Sequence, residues 1–270
     1  MDHFFIQLFN LILQLTDIIV SVFARKTICN LHRVRGVLIY EFLMHSIETE
    51  FDPVKTLRQT KRSSIELVRH RQSGKYYVFR RFEGSCEVYR KLLGITCPYL
   101  PEIYEAAEKE GKAAVLEEYV EGDTIASLLE ASVFTPEQTK PIIEDVCKAL
   151  WVLHEAGAVH RDIKPENVIL RGKTAVLIDF DASRVFKEER TADTMVLGTT
   201  GYAAPEQYGM SQTDARSDIY SLGVLMNVML TGSHPSRRLA EGRYGRIVRK
   251  CTTIDPNGRY RSVIHLMEDL

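Results

Sequence analysis

The chain has 270 residues, 45% of them apolar and 26% charged, so it can bury a substantial core as one large or two small domains. Its formal net charge of -1 argues against a nucleic-acid binder that works through bulk electrostatics. The five cysteines are dispersed without a Cys-x-x-Cys pair, which fits a reducing compartment better than a disulfide framework or a zinc site.

Residues 1–50 are predicted to form an N-terminal extension. Residues 4–24 are mainly apolar, but a polar residue recurs at every third or fourth position and gives one narrow polar stripe on a helix. Asp17 inside this stretch costs about 2.5 to 3.5 kcal/mol on insertion into a bilayer. Basic residues follow from Arg25 to Arg35 and would keep the rest of the chain on the cytoplasmic side if the helix inserted.

Four interpretations of residues 4–24 remain open. They could span a membrane with a polar seam facing a partner, anchor the chain at a membrane interface, or pack as a helix on another protein or on the globular part. Alternatively, Met44 is the true start, because recognisable globular sequence begins only after it. A cleaved secretory signal is not expected, since no positive start or small-residue cleavage site is evident.

Residues 51–121 are predicted to be rich in strands, and residues 122–270 to be mainly helical. Strands are expected around residues 54–57, 65–68 and 75–82. The segment between the first two, residues 58–64, is basic and lacks glycine, which favours a solvated loop over one that contacts phosphates through its side chains.

A helix over residues 142–154 leads into the stretch His-Arg-Asp-Ile-Lys-Pro-Glu-Asn at residues 160–167. A predicted β-hairpin with Gly172 in its turn follows this loop. Asp179-Phe180-Asp181 comes directly after the hairpin, and Glu206 closes an Ala-Pro-Glu segment further along.

This order and spacing resemble the catalytic core of eukaryotic-like protein kinases, and the style of residues 196–208 is similar to bacterial serine/threonine kinases. The resemblance covers residues 51–270. It implies an α+β fold with two lobes, a small antiparallel-sheet lobe over 51–121 and a larger, mainly helical lobe over 122–270.

The resemblance also implies roles for residues of the second lobe. Asp162 would orient the substrate hydroxyl and accept its proton, Lys164 would face the γ-phosphate, and Thr199 would brace that pair. Asn167 and Asp179 would hold Mg²⁺ against the phosphates of ATP, since carboxylate and amide oxygens suit that ion.

The nucleotide would meet residues of both lobes. The backbone of Glu118 and Val120 would hydrogen-bond adenine, with Glu117 guarding the pocket behind it. Strand alternation puts Arg80 where the family has a phosphate-gripping lysine, with Lys75 as a second candidate cation. Glu87 would be the paired glutamate, on a shortened helix.

Three further resemblances concern the support of the site. Asp218 is similar to the buried carboxylate that anchors the catalytic loop, on a helix expected to open at Ser217, and Arg259 is similar to the partner of Glu206. Arg161 resembles the arginine that pairs with a phosphate in the activation segment, and we expect autophosphorylation at Thr191 or Thr194. Asp181 replaces a glycine and stiffens its turn.

The sequence therefore predicts a cytoplasmic serine/threonine protein kinase that uses ATP and Mg²⁺ to phosphorylate Ser/Thr acceptors in proteins, with membrane association through the N-terminal helix left open. No nucleic-acid partner is expected, and residues 4–24 offer contact with a membrane or a partner helix. The absence of the Gly-rich loop and of the lysine leaves an alternative, a pseudokinase that binds nucleotide and acts as a scaffold.

Overall fold

A computed structural model describes residues 25–185, 201–208 and 213–270, and the chain divides into two compact units. The first unit contains the residues up to Cys86 together with Glu105–Leu116. The second contains Glu87–Tyr104 and Glu117–Leu270. The first is built on a sheet and the second mainly on helices, so the predicted α+β fold class is confirmed.

A five-stranded sheet forms the framework of the first unit, in the order β1-β2-β3-β5-β4. Strands β1 and β2 pair as a long antiparallel hairpin, so that the turn between them is only residues 60–62, shorter than the predicted loop over 58–64. The Thr60 hydroxyl oxygen accepts hydrogen bonds from the N–H groups of Arg62 and Ser63 and closes this turn. The elements are α1 Arg25–Glu50, β1 Phe51–Gln59, β2 Ser63–His70, β3 Tyr76–Glu83, β4 Ile103–Lys109 and β5 Lys112–Glu118.

Helix α1 packs against one face of this sheet, a contact that the sequence did not predict. Leu43 is 3% exposed and lies in a cluster with Phe51, Val68 and Phe79. Arg71 donates a hydrogen bond to the carbonyl of Thr49 in the last turn of α1, where a cation also complements the helix dipole. A chain beginning at Met44 would lack Leu43 and the helical turns before it, and hence part of the core of this unit.

The stretch 4–24, with its predicted membrane or partner contact, lies outside the described residues. Among the helices that the structure does describe, none has both the length and the apolar character needed to cross a bilayer.

The second unit places a small sheet beside a helical core. Strands β8 and β9 form the predicted hairpin, and Gly172 in its turn has φ 64°. Strand β6 pairs with β8, and β7 pairs with β10. The elements are α2 Glu87–Leu92, β6 Asp123–Thr124, α3 Ile125–Ala131, α4 Pro136–Glu155, β7 Ala158–Val159, β8 Val168–Arg171, β9 Thr174–Leu177, β10 Arg184–Val185, α5 Ala215–Thr231, α6 Gly242–Cys251 and α7 Val263–Glu268.

Two helices of this unit begin earlier than predicted. Thr135 caps α4 in a capping box with Gln138, so the helix starts at Pro136, which suits a first helical position because proline has no N–H to leave unpaired. Asp214, not Ser217, caps α5, and the predicted start at Ser217 was wrong. Both Ser217 and Asp218 are buried inside the helix, where they bind other segments instead of capping it.

Helices α5 and α6 approach each other closely. A Cβ on Gly223 would lie 2.4 Å from that of Cys251, so only glycine fits there. The connection between the two helices, residues 232–241, contains no helix. The buried side chain of Asn227 holds it, donating to the carbonyls of Ser233 and Arg238 and accepting from the N–H of Ala240.

Candidate active site

Three polar side chains of the segment between β7 and β8 converge on one carboxylate oxygen. Lys164 Nζ lies 2.8 Å from Asp162 Oδ2, and both side chains are largely buried, at 15% and 13% exposure. Asn167 Nδ2 donates to the same oxygen at 3.0 Å and to the backbone carbonyl of Asp162 at 2.8 Å. The sequence-predicted set Asp162, Lys164 and Asn167 is therefore brought together, and the carboxylate orientation is fixed from two sides.

Asp218 on α5 anchors the backbone of this loop. One of its oxygens accepts from the N–H of Arg161 at 2.8 Å, and the other accepts from the N–H of His160 at 2.9 Å. The second oxygen also lies 2.8 Å from Nε2 of His154 on α4. Asp218 is completely buried, so these bonds are shielded from water and strong. The anchoring of the loop backbone by a buried Asp218, which the sequence predicted, is therefore present.

The imidazole of His160 links the loop to the strand end before Asp179. Its Nδ1 accepts from the N–H of Asp162 at 3.3 Å, so Nε2 carries the proton and donates to the carbonyl of Ile178 at 3.2 Å. Burial lowers the pKa of His160, which keeps the ring neutral, as this pairing requires. The N–H of Ile178 donates in turn to the carbonyl of Asn167 at 2.9 Å. Ile178, the residue before Asp179, is thus hydrogen-bonded to the loop through both its carbonyl and its N–H.

Asp179 is held in a left-handed conformation, with φ 71°. Such a backbone is unfavourable for a residue other than glycine and is often found at functional sites. The next residue, Phe180, is buried between the rings of Tyr89 on α2 and His160, with centroid distances of 5.6 Å and 5.5 Å. The position of Asp179 is therefore set by the packing of its neighbour.

The donor set suits magnesium bound together with a phosphate ligand. The amide nitrogen of Asn167 donates to two oxygens of Asp162, and within the part of the chain that the structure describes no donor reaches its Oδ1. This leaves an amide oxygen to add to the carboxylate of Asp179. No cluster of three or more His, Cys, Asp or Glu side chains suited to a metal occurs among the described residues. Mg²⁺ does not need one, because it commonly takes one or two protein oxygens plus phosphates and water.

The strand end at Glu118 is fixed by one backbone and one side-chain hydrogen bond. Its N–H donates to the carbonyl of Glu102 at 2.8 Å, and Arg171 on β8 donates to its Oε1 at 2.6 Å. Gly122, a few residues on, has φ 151°, and a Cβ there would lie 2.2 Å from the carbonyl oxygen of Leu170. The segment therefore follows a path that only glycine permits. Glu117 and Val120 are both buried, at 2% and 4% exposure.

Arg80 occupies the position on β3 that the sequence predicted. It is 4% exposed and pairs in register with Ile65, on the sheet face opposite to Phe79 and α1. Lys75 precedes β3 and is exposed, whereas Arg80 lies within the strand, and the role of either cation stays a prediction. Glu87 is the exposed first residue of α2, which has only six residues, so the predicted shortening of that helix is present. The pairing of Arg80 with Glu87 stays a prediction.

The ion pair predicted between Glu206 and Arg259 is present and bidentate. The two nitrogen–oxygen distances are 2.7 Å and 2.9 Å, and both side chains are buried. Ser217 donates a further hydrogen bond to Glu206 at 2.6 Å. Burial by itself raises the pKa of Glu206, but the hydrogen bonds from Arg259 and Ser217 outweigh it, and the net pKa is lowered.

The protein kinase domain family model matches residues 61–262. The chain belongs to the protein kinase family. Among curated proteins it is 30% identical to serine/threonine-protein kinase pkn2 of Myxococcus xanthus over 183 residues, which is 65% of this chain and 22% of that protein. It is 35% identical to serine/threonine-protein kinase PknB of Mycobacterium tuberculosis over 147 residues, 51% of this chain and 24% of that protein.

The kinase match supports the bacterial serine/threonine resemblance seen in the sequence. It begins within the turn between β1 and β2, so α1 and β1 precede it, although both belong to the first unit. The chain spans about a quarter or less of the length of the curated relatives named above.

Some of the predicted kinase residues lie outside the described residues, among them Thr199 and the candidate phosphorylation sites Thr191 and Thr194. Arg161, their expected partner, is 1% exposed and has φ 71°. Sequence reasoning missed Arg171 and Tyr89, which fix the strand end at Glu118 and the ring of Phe180. Their partners are 53 and 91 residues away, and no local pattern could reveal them.

Proposed function

We propose that this chain is a serine/threonine protein kinase that transfers the γ-phosphoryl group of ATP to Ser/Thr hydroxyls of proteins. The observation that carries the proposal is the convergence of Lys164 and Asn167 on one oxygen of Asp162, on a loop anchored by Asp218. Phosphoryl transfer depends on positioning and charge neutralisation, and this arrangement supplies both. The names of the curated relatives agree with it.

In the proposed reaction, the Asp162 carboxylate holds the substrate hydroxyl and accepts its proton as the new oxygen–phosphorus bond forms. Lys164 lies beside Asp162, where its charge compensates the negative charge that develops on the transferred group. The oxygens of Asn167 and Asp179 would hold Mg²⁺. ATP supplies the phosphoryl group and leaves as ADP, and Mg²⁺ neutralises the phosphate oxygens.

The remaining nucleotide contacts are also proposed. The carbonyl of Glu118 and the N–H of Val120 would bind adenine, since the N–H of Glu118 is already used by Glu102. Arg80 would grip a phosphate in place of lysine and be oriented by Glu87. A guanidinium keeps the charge of lysine and can bind phosphate through two parallel hydrogen bonds. Thr199 would brace Asp162 and Lys164.

Regulation and location belong to the same proposal. Autophosphorylation at Thr191 or Thr194 would be read by Arg161, and residues 4–24 would bring the kinase to the cytoplasmic face of a membrane or to a partner helix. The first is tested by mapping phosphorylated residues. The second is tested by whether the full chain, but not a chain lacking residues 1–24, is recovered with membranes.

A pseudokinase is the second candidate, favoured by the turn between β1 and β2. Its backbone N–H groups at residues 62 and 63 are bound to Thr60, so they are not offered to a phosphate as those of a Gly-rich loop would be. The presence of Arg80 in place of the lysine of the family also favours a pseudokinase. Such a protein would bind nucleotide without transferring phosphate.

The test is phosphate incorporation by the purified full chain with ATP and Mg²⁺, measured by intact mass, with a generic protein substrate in parallel. Incorporation should disappear in Asp162→Asn. The matched control is Asp255→Asn, the same chemical change at an exposed residue whose side-chain oxygen can still accept from Asn257. No incorporation by the unmodified chain, together with measurable nucleotide binding, would favour the pseudokinase.

A further inference from the structure

The residue after Phe180 is bound by the same tyrosine that packs against Phe180. The hydroxyl of Tyr89 donates a hydrogen bond to Oδ1 of Asp181 at 2.7 Å. The ring of Tyr89 stands edge-on to that of Phe180, at an interplanar angle of 81°. Tyr89 is 1% exposed and Asp181 is half-buried, so the hydrogen bond between them is partly shielded from water.

This hydrogen bond depends on a departure from the family pattern. The kinase motif that Asp179-Phe180-Asp181 resembles is Asp-Phe-Gly, with glycine at the position of Asp181, and glycine offers no side chain to a tyrosine. Here the carboxylate ties the turn to α2, while the N–H of Asp181 points back at Oδ1 of Asp179, 3.5 Å away. The turn is therefore held through the side chain of Asp181 as well as through the ring of Phe180.

The restraint acts on a strained residue. Asp179, two positions earlier, has φ 71°, a conformation that a non-glycine residue keeps only when its surroundings enforce it. The His160 and Asn167 bonds to Ile178 fix the chain before Asp179. Tyr89 fixes the chain after it. Between them, these contacts fix the backbone on both sides of Asp179.

We propose that Tyr89 is a positioning residue for magnesium binding: by holding Asp181, its hydroxyl fixes the orientation in which the Asp179 carboxylate meets the ion. This inference rests on the proposed function, because it takes Asp179 as a magnesium ligand. It assigns a role to a tyrosine–aspartate pair that the family pattern lacks.

The experiment measures how binding of a non-hydrolysable ATP analogue to the full chain depends on Mg²⁺ concentration, by calorimetry. Tyr89→Phe keeps the ring on Phe180 and removes only the hydroxyl, and Asp181→Ala removes the acceptor. Both should raise the Mg²⁺ concentration for half-maximal binding about tenfold, which corresponds to ~1.4 kcal/mol. Asp181→Asn keeps an oxygen that can accept the bond and should stay close to the unmodified chain.

Tyr260→Phe is the matched control. The hydroxyl of Tyr260 also donates to an aspartate, Asp269, at 2.9 Å, and the residue is 3% exposed, but it lies beside α7. Its loss should leave the Mg²⁺ dependence unchanged even if stability falls. In the double variant of Tyr89→Phe and Asp181→Ala, the shift should be no larger than in either single variant, because both remove one interaction.

Several outcomes would overturn the inference. These are an unchanged Mg²⁺ dependence in Tyr89→Phe, an equal shift in Tyr260→Phe, or a shift in Asp181→Asn as large as in Asp181→Ala, which would indicate lost charge instead of a lost bond. The absence of any Mg²⁺-dependent binding by the unmodified chain would overturn it too. Binding without phosphate transfer would refute only the proposed function, since the positioning role would still be measured.

Discussion

Replacing Arg259 with alanine should destabilise the second unit far more than the loss of one hydrogen bond would. The guanidinium donates to both oxygens of Glu206 and to the carbonyls of Arg216, Thr253 and Ile254. In the variant these acceptors would lose their partner, and the Glu206 carboxylate would stay buried without its counter-ion.

The magnitude follows from burial. Removing one partner of a buried ion pair costs about 3 to 5 kcal/mol, because the other charge is left uncompensated. For a protein of this size, 1 kcal/mol shifts the melting temperature by about 2 to 4 °C, so a fall on the order of 10 °C is expected. The ion pair of Arg81 with Glu66 has the same nitrogen–oxygen distance, 2.7 Å, but its side chains are 45% and 24% exposed. Exposed pairs contribute about 0 to 1 kcal/mol.

Urea unfolding followed by circular dichroism would compare Arg259→Ala with Arg81→Ala. The expected result is a large loss for the first and a small loss for the second, with similar dependence on urea concentration. Equal losses in both variants, or full stability in Arg259→Ala, would refute the reasoning that burial decides the contribution of these pairs.

Three further predictions follow. The pKa of Glu206 is lowered from 4.5 in the folded state, so the unfolded chain binds more protons than the folded chain just below that pH. The free energy of unfolding should therefore fall as the pH drops below 4.5. The fall should be smaller in Arg259→Ala, because the arginine lowers the pKa of Glu206. Gly122→Ala should lower the melting temperature more than Gly172→Ala, because its Cβ would clash with a β8 carbonyl at 2.2 Å whereas nothing lies within 4 Å at Gly172. Leu43→Ala should cost about 2 to 5 kcal/mol in urea unfolding, and Leu38→Ala, at 37% exposure, much less.

The sequence predicted the second unit well because its functional groups come in short, contiguous runs. Asp162, Lys164 and Asn167 lie within six residues, and loop geometry alone brings them close. The two distant pairings that were predicted, Glu206 with Arg259 and Asp218 with the loop, came from the family resemblance and not from local pattern.

The first unit was harder to predict. The apolar residues of helix α1 are only weakly segregated to one face, and β1 follows the helix directly at Phe51. The turn at Thr60 is shorter than the sequence predicts because strand pairing extends β1 and β2 beyond their apolar residues, and pairing depends on both strands instead of on the preferences of single residues. In both cases tertiary contacts outweigh local preference.

The helical core also explains how the candidate site can keep an unfavourable backbone. Arg161 and Asp179 both have φ 71°, and each such residue costs about 1 to 3 kcal/mol. At Arg161, Asp218 offsets this cost with two charge-assisted hydrogen bonds to the backbone of His160 and Arg161, each worth about 1.5 to 3 kcal/mol. Together these bonds match or exceed the cost at Arg161, so the loop keeps its strained conformation while α5 holds Asp218 in place. The buried helix α5 therefore does more than fill the core, because the conformation of the loop that carries Asp162 depends on it.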